Sequence, residues 1–362
     1  MSKSFLAFAD LHLGLTPFNK PELAQDLKTT FTDICSLAIS LKVDYLINCG
    51  DEFDTNKPTP ELISFVKDGV RLLKNNGVTP IGLAGDHSKP INGKCWLRDA
   101  SEFLAFSEDA TPNLFGLDYS DVKDYIPDGL KACAYASKVE WLFFHGQFLS
   151  IFPFCEEKKK IDFSTFPVFE VFPKLKGIIL GDIHKPLQGT LKNCTKEIPV
   201  MYCGSPGVIN SGEIGDAKSV IHFDGKTLKR IPLTLKRGYH IVDLTSLDFK
   251  EHEIGYLYSR YEKAKGAMPV VVVKYNRSTQ DKLKLLTSLY RVAHVRLAQV
   301  SANVKHAKVE CSIRSEINNT DRVYEALKLS CEQPDIVDLL YSLINTEDSK
   351  LVLDKFVKAQ LC

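Results

Sequence analysis

The chain has 362 residues, 44% of them hydrophobic and 25% charged, with a formal net charge of +1. That length favours two domains or one large domain with appendages, and the balance excludes disordered, collagenous and low-complexity classes. A near-neutral chain has no bulk attraction for nucleic acid, so any phosphate binding has to come from local patches or bound metal ions.

In chain order, Phe5–Ala9 is expected to be a buried first strand; the apolar run is too short, and too soon followed by Asp10, for a signal peptide or a membrane span. Further strands are predicted at Tyr45–Cys49, Pro80–Ala84, Trp141–Phe144 and Gly177–Leu180, each ending in a polar turn. Leu23–Leu41 and Pro60–Lys74 carry apolar residues at helical spacing, which predicts βαβ units in a layered α/β sheet with buried strands. Such sheets form ligand sites where their strands end.

A second region opens at Arg237. It offers a strand in GYHIVDL, a helical stretch at Ile254–Lys265, a β-branched strand at Pro269–Tyr275, a helix at Gln280–Val292 with Leu283, Leu286, Leu289 and Tyr290 on one side, and a further strand within Val295–Val309. This pattern predicts a small α+β module. From about Asn319 three short helices are expected, the second opened by Pro334, and their apolar stripes pack either on the chain itself or on a partner. The ten cysteines show no CxxC pair, which fits reduced thiols filling small apolar spaces in a cytosolic protein.

Four of the nine histidines follow predicted strands, each beside a carboxylate or a glycine. The runs are Asp10-Leu11-His12, Gly50-Asp51-Glu52-Phe53-Asp54, Gly85-Asp86-His87, His145-Gly146 and Gly181-Asp182-Ile183-His184. Singly each is ordinary turn chemistry or a core histidine. Five of them in sequence, all at strand ends converging on one sheet edge, bring together the carboxylates and imidazoles that a pair of divalent cations needs. Lys89, Lys94 and Arg98 near the third run could form a phosphate track, although scattered basic residues usually sit on the surface. The run Glu156–Lys160 reads as a solvated loop. Phe163, Phe166, Phe169 and Phe172 read as core rather than as a base-stacking platform, because they lack interleaved basic residues.

The ordered motifs D-x-H, G-D-x-x-D, G-D-H, a lone His and G-x-x-H resemble the calcineurin-like metallophosphoesterase superfamily. Gly181-Asp-Ile-His-Lys-Pro186, Tyr202-Cys-Gly-Ser-Pro206 and Gly212-Glu213 narrow the resemblance to the SbcD-type nuclease subunit. The motifs cover about the first 220 residues. The resemblance implies a layered α/β sandwich at 1–236, a small α+β capping domain that selects DNA ends at 237–314, and a helical segment at 319–362 that docks an SbcC-type ATPase. It further implies two divalent cations, one held by Asp10, His12, Asp51 and His184 and the other by Asp51, Asp86, His145 and Asp182. His87 would stay off the ions as the catalytic histidine. The implied reaction is phosphodiester hydrolysis by a metal-activated hydroxide, as 3′ to 5′ exonuclease and single-strand endonuclease on DNA ends. Recombination, repair or replication is the implied setting, in a homodimer, away from membranes, in the cytoplasm (the host's if the chain is phage-encoded).

Lys89, Lys185 and Ser205 are the substrate-binding candidates. Two rival readings are a phosphatase on phosphomonoesters and a non-catalytic scaffold on DNA ends. The sequence departs from the resemblance at Asp86, where Asn is usual, at Asp182, where His is usual, and at Ser88, which replaces a common acidic residue. Carboxylates at Asp10, Asp51, Asp86 and Asp182 cancel the charge of two divalent cations. That oxygen-rich set favours Mn²⁺, with Mg²⁺ as the alternative, over Zn²⁺, and makes the second ion the weaker one.

Overall fold

The computed structural model describes residues 3–89, 96–120, 125–148, 160–161 and 166–300. Its strands are β1 (Phe5–Phe8), β2 (Tyr45–Asn48), β3 (Thr79–Gly82), β4 (Leu114–Leu117), β5 (Trp141–His145), β6 (Gln147–Phe148), β7 (Lys160–Ile161) and β8 (Gly177–Gly181). They continue with β9 (Gln188–Lys192), β10 (Glu197–Tyr202), β11 (Ser219–Phe223), β12 (Leu228–Pro232), β13 (Tyr239–Asp243), β14 (Val270–Tyr275) and β15 (His294–Gln299).

Two five-stranded sheets make up the larger part, in the orders β12-β11-β1-β2-β3 and β4-β5-β8-β10-β9. Within them β1, β2 and β3 run parallel, as do β4, β5, β8 and β10. Alternation along each strand explains the layers. Phe5, Ala7, Tyr45, Ile47, Trp141, Phe143 and Ile179 pack together between the sheets, whereas Leu6, Phe8 and Leu46 turn to the opposite face. Leu142, Phe144, Ile178 and Leu180 fill the outer face of the second sheet. Every strand in the middle of this sandwich is buried on both sides, which is why it reads as an unbroken apolar run.

Helices α1 (Pro21–Ser40) and α2 (Pro60–Asn75) cover the first sheet and are the crossovers of its parallel strands. Pro60 at the first helical position and Thr59, whose hydroxyl accepts from Leu62 N at 3.3 Å, start α2. Leu62, Val66, Val70 and Leu73 recur at three- and four-residue spacing and are buried against Phe31, Ile34 and Ala38 of α1. No helix among the described residues is long and apolar enough to cross a membrane.

Strands β13, β14 and β15 form a separate parallel sheet. The helix His252–Glu262 and the segment after β14 cover one face of it, where Val242, Leu244, Val271, Val273, Leu286 and Leu289 are buried. The expected helix over Gln280–Val292 is instead 3₁₀ over Arg277–Thr287 and Leu289–Arg291. With three residues per turn, Leu283, Leu286 and Leu289 fall in one row, and Tyr290 leaves that row to stand in solvent. Leu23 of α1 packs on Val270 and Val272, and Arg237 makes a bidentate pair with buried Asp26 while donating to Met268 O at 2.7 Å. The expected strand within Val295–Val309 is described only as far as β15, and the expected helices from Asn319 onward lie outside the described residues.

Candidate metal centre

The C-terminal ends of β1, β2, β3, β5 and β8 meet at one rim of the sandwich. They belong to two sheets rather than the single sheet edge expected, because β5 and β8 sit in the second sheet. Asp10, His12, Asp51 and Asp182 all have left-handed backbones, with φ of 55°, 49°, 53° and 93°. Non-glycine residues rarely adopt this region, and its appearance at four neighbouring polar residues marks a constrained site. Glycines make the approach possible. A Cβ on Gly50 would lie 2.1 Å from His145 Nδ1, and one on Gly85 would lie 2.1 Å from Asp51 Oδ1.

Ligand atoms of Asp10, His12 and His184 lie within 4.8 Å of one another, and so do those of Asp86, His145 and Asp182. Asp51 stands between these groups. Its Oδ2 is 3.2 Å from His145 Nε2 and 3.9 Å from His12 Nε2, while Oδ1 accepts from the His87 backbone N–H at 3.1 Å. Asp10 receives the Asp182 N–H at 2.9 Å, tying the first strand end to the last.

Three imidazoles are oriented alike. His145 Nδ1 lies 2.9 Å from the Cys49 carbonyl, which can only accept, so Nδ1 carries the hydrogen. His12 Nδ1 is 3.1 Å from Asp54 Oδ1 and His184 Nδ1 is 2.8 Å from Glu213 Oε1, which fixes the same tautomer. All three Nε2 lone pairs therefore face inward. His12 Nε2 and His184 Nε2 come within 3.2 Å of each other, and buried His145 Nε2 has no properly aligned hydrogen bond although three carboxylates lie within 3.8 Å. Facing lone pairs and carboxylates repel unless a proton or a cation lies among them. Nδ1–H on an oxygen acceptor with Nε2 turned to a metal is how ligating histidines are held. The donor set thus fits two divalent cations.

Charge explains the proton side of the same arrangement. Burial pushes the His145 imidazole down, but Asp51, Asp86 and Asp10 outweigh it and hold its pKa well above the ordinary value. Burial likewise opposes, and Glu213 and Asp10 overcome, to raise His184. Burial raises Asp10 and lifts Glu52, whose Oε2 accepts from Asn48 Nδ2 at 3.0 Å, to about 8. Glu213 is held at about 2, because His184, Lys218 and Ser205 outweigh the burial that would raise it.

His87 lies at the solvent side of the site. Its Nδ1 is 3.0 Å from the Asp54 carbonyl and its ring is 4.8 Å from that of His12. Ser88 donates weakly to Asp51 Oδ1 at 3.4 Å.

No family model matches the chain. It is 24% identical over 315 residues to the DNA double-strand break repair protein Mre11 of Sulfurisphaera tokodaii, covering 81% of this chain and 78% of that one. Against Mre11 of Methanosarcina acetivorans the identity is 23%, over 97% of this chain and 56% of the relative, so the chain spans about half that protein's length. Over most of its length the chain is thus similar to proteins named for DNA double-strand break repair. Among solved structures, purple acid phosphatase PPD1 from yellow lupin (Lupinus luteus) seeds aligns over 66% of this chain and 52% of its own, with 13% identity and a TM-score of 0.41.

Of the three substrate candidates, Lys185 is exposed and Lys89 half-buried near the rim. Ser205 is a correction: it is 1% exposed, and its hydroxyl is taken up by Gly207 O at 2.9 Å, Glu213 Oε2 at 2.7 Å and Lys218 Nζ at 2.8 Å, so it supports the site from behind instead of meeting substrate. Arg98 is no part of a phosphate track either, because its guanidinium pairs with Asp118 at 2.6 and 2.5 Å. Lys94, Phe163 and residues 156–159 lie outside the described residues, while Phe166 and Phe172 are core. Asp54 and Glu213, the partners of His12 and His184, stand inside the runs Gly50-Asp51-Glu52-Phe53-Asp54 and Gly212-Glu213, where nothing in residue type or spacing marks them as such.

Proposed function

We propose that this chain is a calcineurin-like metallophosphoesterase of the SbcD type, a metal-dependent nuclease acting on DNA ends. The observation that carries the reading is the common orientation of His12, His145 and His184, each with Nδ1–H on an oxygen and Nε2 turned toward Asp10, Asp51, Asp86 and Asp182. Asp10, His12, Asp51 and His184 would hold one ion, and Asp51, Asp86, His145 and Asp182 would hold the other. When bound, two divalent cations supply Lewis acidity at phosphate oxygens and lower the pKa of water.

The chain's own residues do the rest. Asp51 turns a single oxygen, Oδ2, toward both His145 and His12, since its other oxygen is held by the His87 N–H. With Nδ1 committed to Asp54 O, His87 has Nε2 left to meet the phosphate or the leaving oxygen, a general-acid position. Lys185 and Lys89 offset part of the carboxylate charge where a phosphodiester approaches.

DNA as substrate is supported by the relatives named for double-strand break repair and by the charge of the second region. Residues 238–300 carry ten Lys and Arg against six Asp and Glu, with Tyr256 and Tyr290 exposed among them. The domains follow as 1–236 for hydrolysis, 237–314 for choosing DNA ends and 319–362 for docking an SbcC-type ATPase. The polarity is 3′ to 5′ with single-strand endonuclease action, in a homodimer, with Mn²⁺ as the preferred ion. The deciding assay compares a linear duplex with para-nitrophenyl phosphate in Mn²⁺, for wild type and His87→Ala. Mn²⁺-dependent loss of duplex, reduced about 10²- to 10⁴-fold in the variant, is expected. Equal activity of the two proteins, or turnover of the monoester alone, refutes the assignment.

A further inference from the structure

Lys218 is a buried cation that the proposed reaction does not use. Its side chain is 1% exposed, and Nζ donates to Glu213 Oε2 and to Ser205 Oγ, both at 2.8 Å. Lysine is almost never fully buried unless it is paired, so this ammonium is present for its partners. The partners form one layer behind His184. Glu213 Oε1 takes the His184 Nδ1–H at 2.8 Å and Asn210 Nδ2 at 2.7 Å, while Oε2 takes Lys218, Ser205 Oγ at 2.7 Å and the Ile209 N–H at 3.2 Å. Three separate stretches, at Ser205, at 209–213 and at the start of β11, therefore converge on one carboxylate.

Lys218 makes no hydrogen bond to His184 and acts on the ring directly only by the repulsion between two cations, so any bracing of that ring passes through Glu213. A cation fixed on Oε2 keeps the carboxylate ionised and sets its rotation, which leaves Oε1 in line with Nδ1. The ring is then locked with Nε2 toward the Asp10 and His12 side of the centre.

We propose that Lys218 is a positioning residue for the metal centre, acting through Glu213 to hold His184 in the Nδ1–H tautomer with Nε2 aimed at the ion. This rests on the two-ion reading above. It gives Ser205 and the Gly212-Glu213 pair a shared purpose, as the wall against which one ligand is braced.

The test is Mn²⁺ calorimetry on wild type, Lys218→Met, Glu213→Gln and the double variant, with the His184 tautomer read from long-range ¹⁵N–¹H spectra. Wild type should bind two ions. Lys218→Met should weaken one of them about 10- to 100-fold and leave the other unchanged, the usual size for losing an outer partner of a ligating histidine. Lys218→Arg should restore part of the loss, and the His184 tautomer should become mixed in Lys218→Met. If Lys218 works through Glu213, adding Lys218→Met to Glu213→Gln changes nothing further. Losses that multiply in the double variant, or two unchanged ions with an unchanged tautomer in Lys218→Met, overturn the inference. Should Lys218→Met fail to fold, Ser205→Ala removes a smaller part of the same brace and should weaken the same single ion; unaltered binding there overturns it as well. A wild-type protein that binds no ion sinks the two-ion reading itself, a different result from either of these.

Discussion

Protons and metal ions compete for one set of lone pairs, so metal affinity should depend steeply on pH. In the metal-free protein His145 holds its proton well above the ordinary range, since the attraction of Asp51, Asp86 and Asp10 exceeds the burial that opposes it, and His184 is raised as well. An ion can coordinate Nε2 only after the proton there has left. Each proton displaced weakens the apparent affinity about tenfold for every unit the pH is lowered, about 1.4 kcal/mol. Between pH 7.5 and 6.5 the ion on the His145 side should therefore bind more weakly, by up to about tenfold, with the His184 side following the same direction.

Metal-free stability should move the opposite way. Groups whose folded pKa is raised stabilise the fold fully below their unfolded value and lose that contribution as the pH rises through the folded one. His145, His184, Asp10 and Glu52, the last at about 8, all belong to this class. The metal-free protein should thus melt at lower temperature as pH rises from about 5 to 8, while the Mn²⁺-loaded protein gains over its metal-free form across the same interval. Calorimetry in two buffers of different ionisation enthalpy counts the protons released, and thermal melts with and without a chelator follow stability. Affinity that is flat between pH 6.5 and 7.5, with no proton released, would refute the reasoning.

Three further outcomes are expected. Gly85→Ala places a methyl 2.1 Å from Asp51 Oδ1 and 2.7 Å from its backbone nitrogen, and because Asp51 stands between the two ion positions, calorimetry should show both ions weakened together; overpacking of this kind also costs about 1–3 kcal/mol of stability by denaturant titration. Asp182→His lowers the carboxylate count from four to three, so Mn²⁺ loses an attraction on the order of a few kcal/mol at an effective dielectric near 20, partly recovered through the new imidazole, and the preference in competition titrations should move toward Zn²⁺. Arg237→Met leaves Asp26 buried without its bidentate partner and should cost about 3 kcal/mol in chemical denaturation; an unchanged midpoint would mean the pair adds nothing to joining α1 and the β13–β15 module.

The sandwich and its rim were legible in the sequence to different depths. Strand positions were plain, because a strand buried on both faces is apolar at every residue and stops abruptly at a polar turn. That same uniformity hides the partition into two sheets: Phe5 and Leu6 look alike on paper, yet one faces the second sheet and the other faces α1 and α2. Leu283, Leu286 and Leu289 posed a related ambiguity, since a three-residue spacing suits both an α-helical face and a 3₁₀ row, and the exposed Tyr290 is what separates them. Residues that change the chemistry announced themselves by type and by place after a strand. Those that only aim them did not, for Asp54 lies 42 positions from His12 and Glu213 lies 29 from His184, and a bracing hydrogen bond leaves no periodic trace.

Backbone conformation adds what no residue pattern holds. Asp10, His12, Asp51 and Asp182 would each relax out of the left-handed region in a free peptide, at a cost of about 1–2 kcal/mol apiece to hold them in it. They stay because their peptide groups are bound on several sides: Asp10 N–H to Gly50 O at 3.0 Å, His12 N–H to Asp51 O at 3.0 Å and Asp182 N–H to Asp10 Oδ1 at 2.9 Å. These bonds run from the end of one strand to the end of another and fix the backbone from which the carboxylates project. A centre arranged in this way gives up little conformational entropy when it is filled, and the proton that Asp51, Asp86 and Asp10 favour on His145 is what an ion there has to displace.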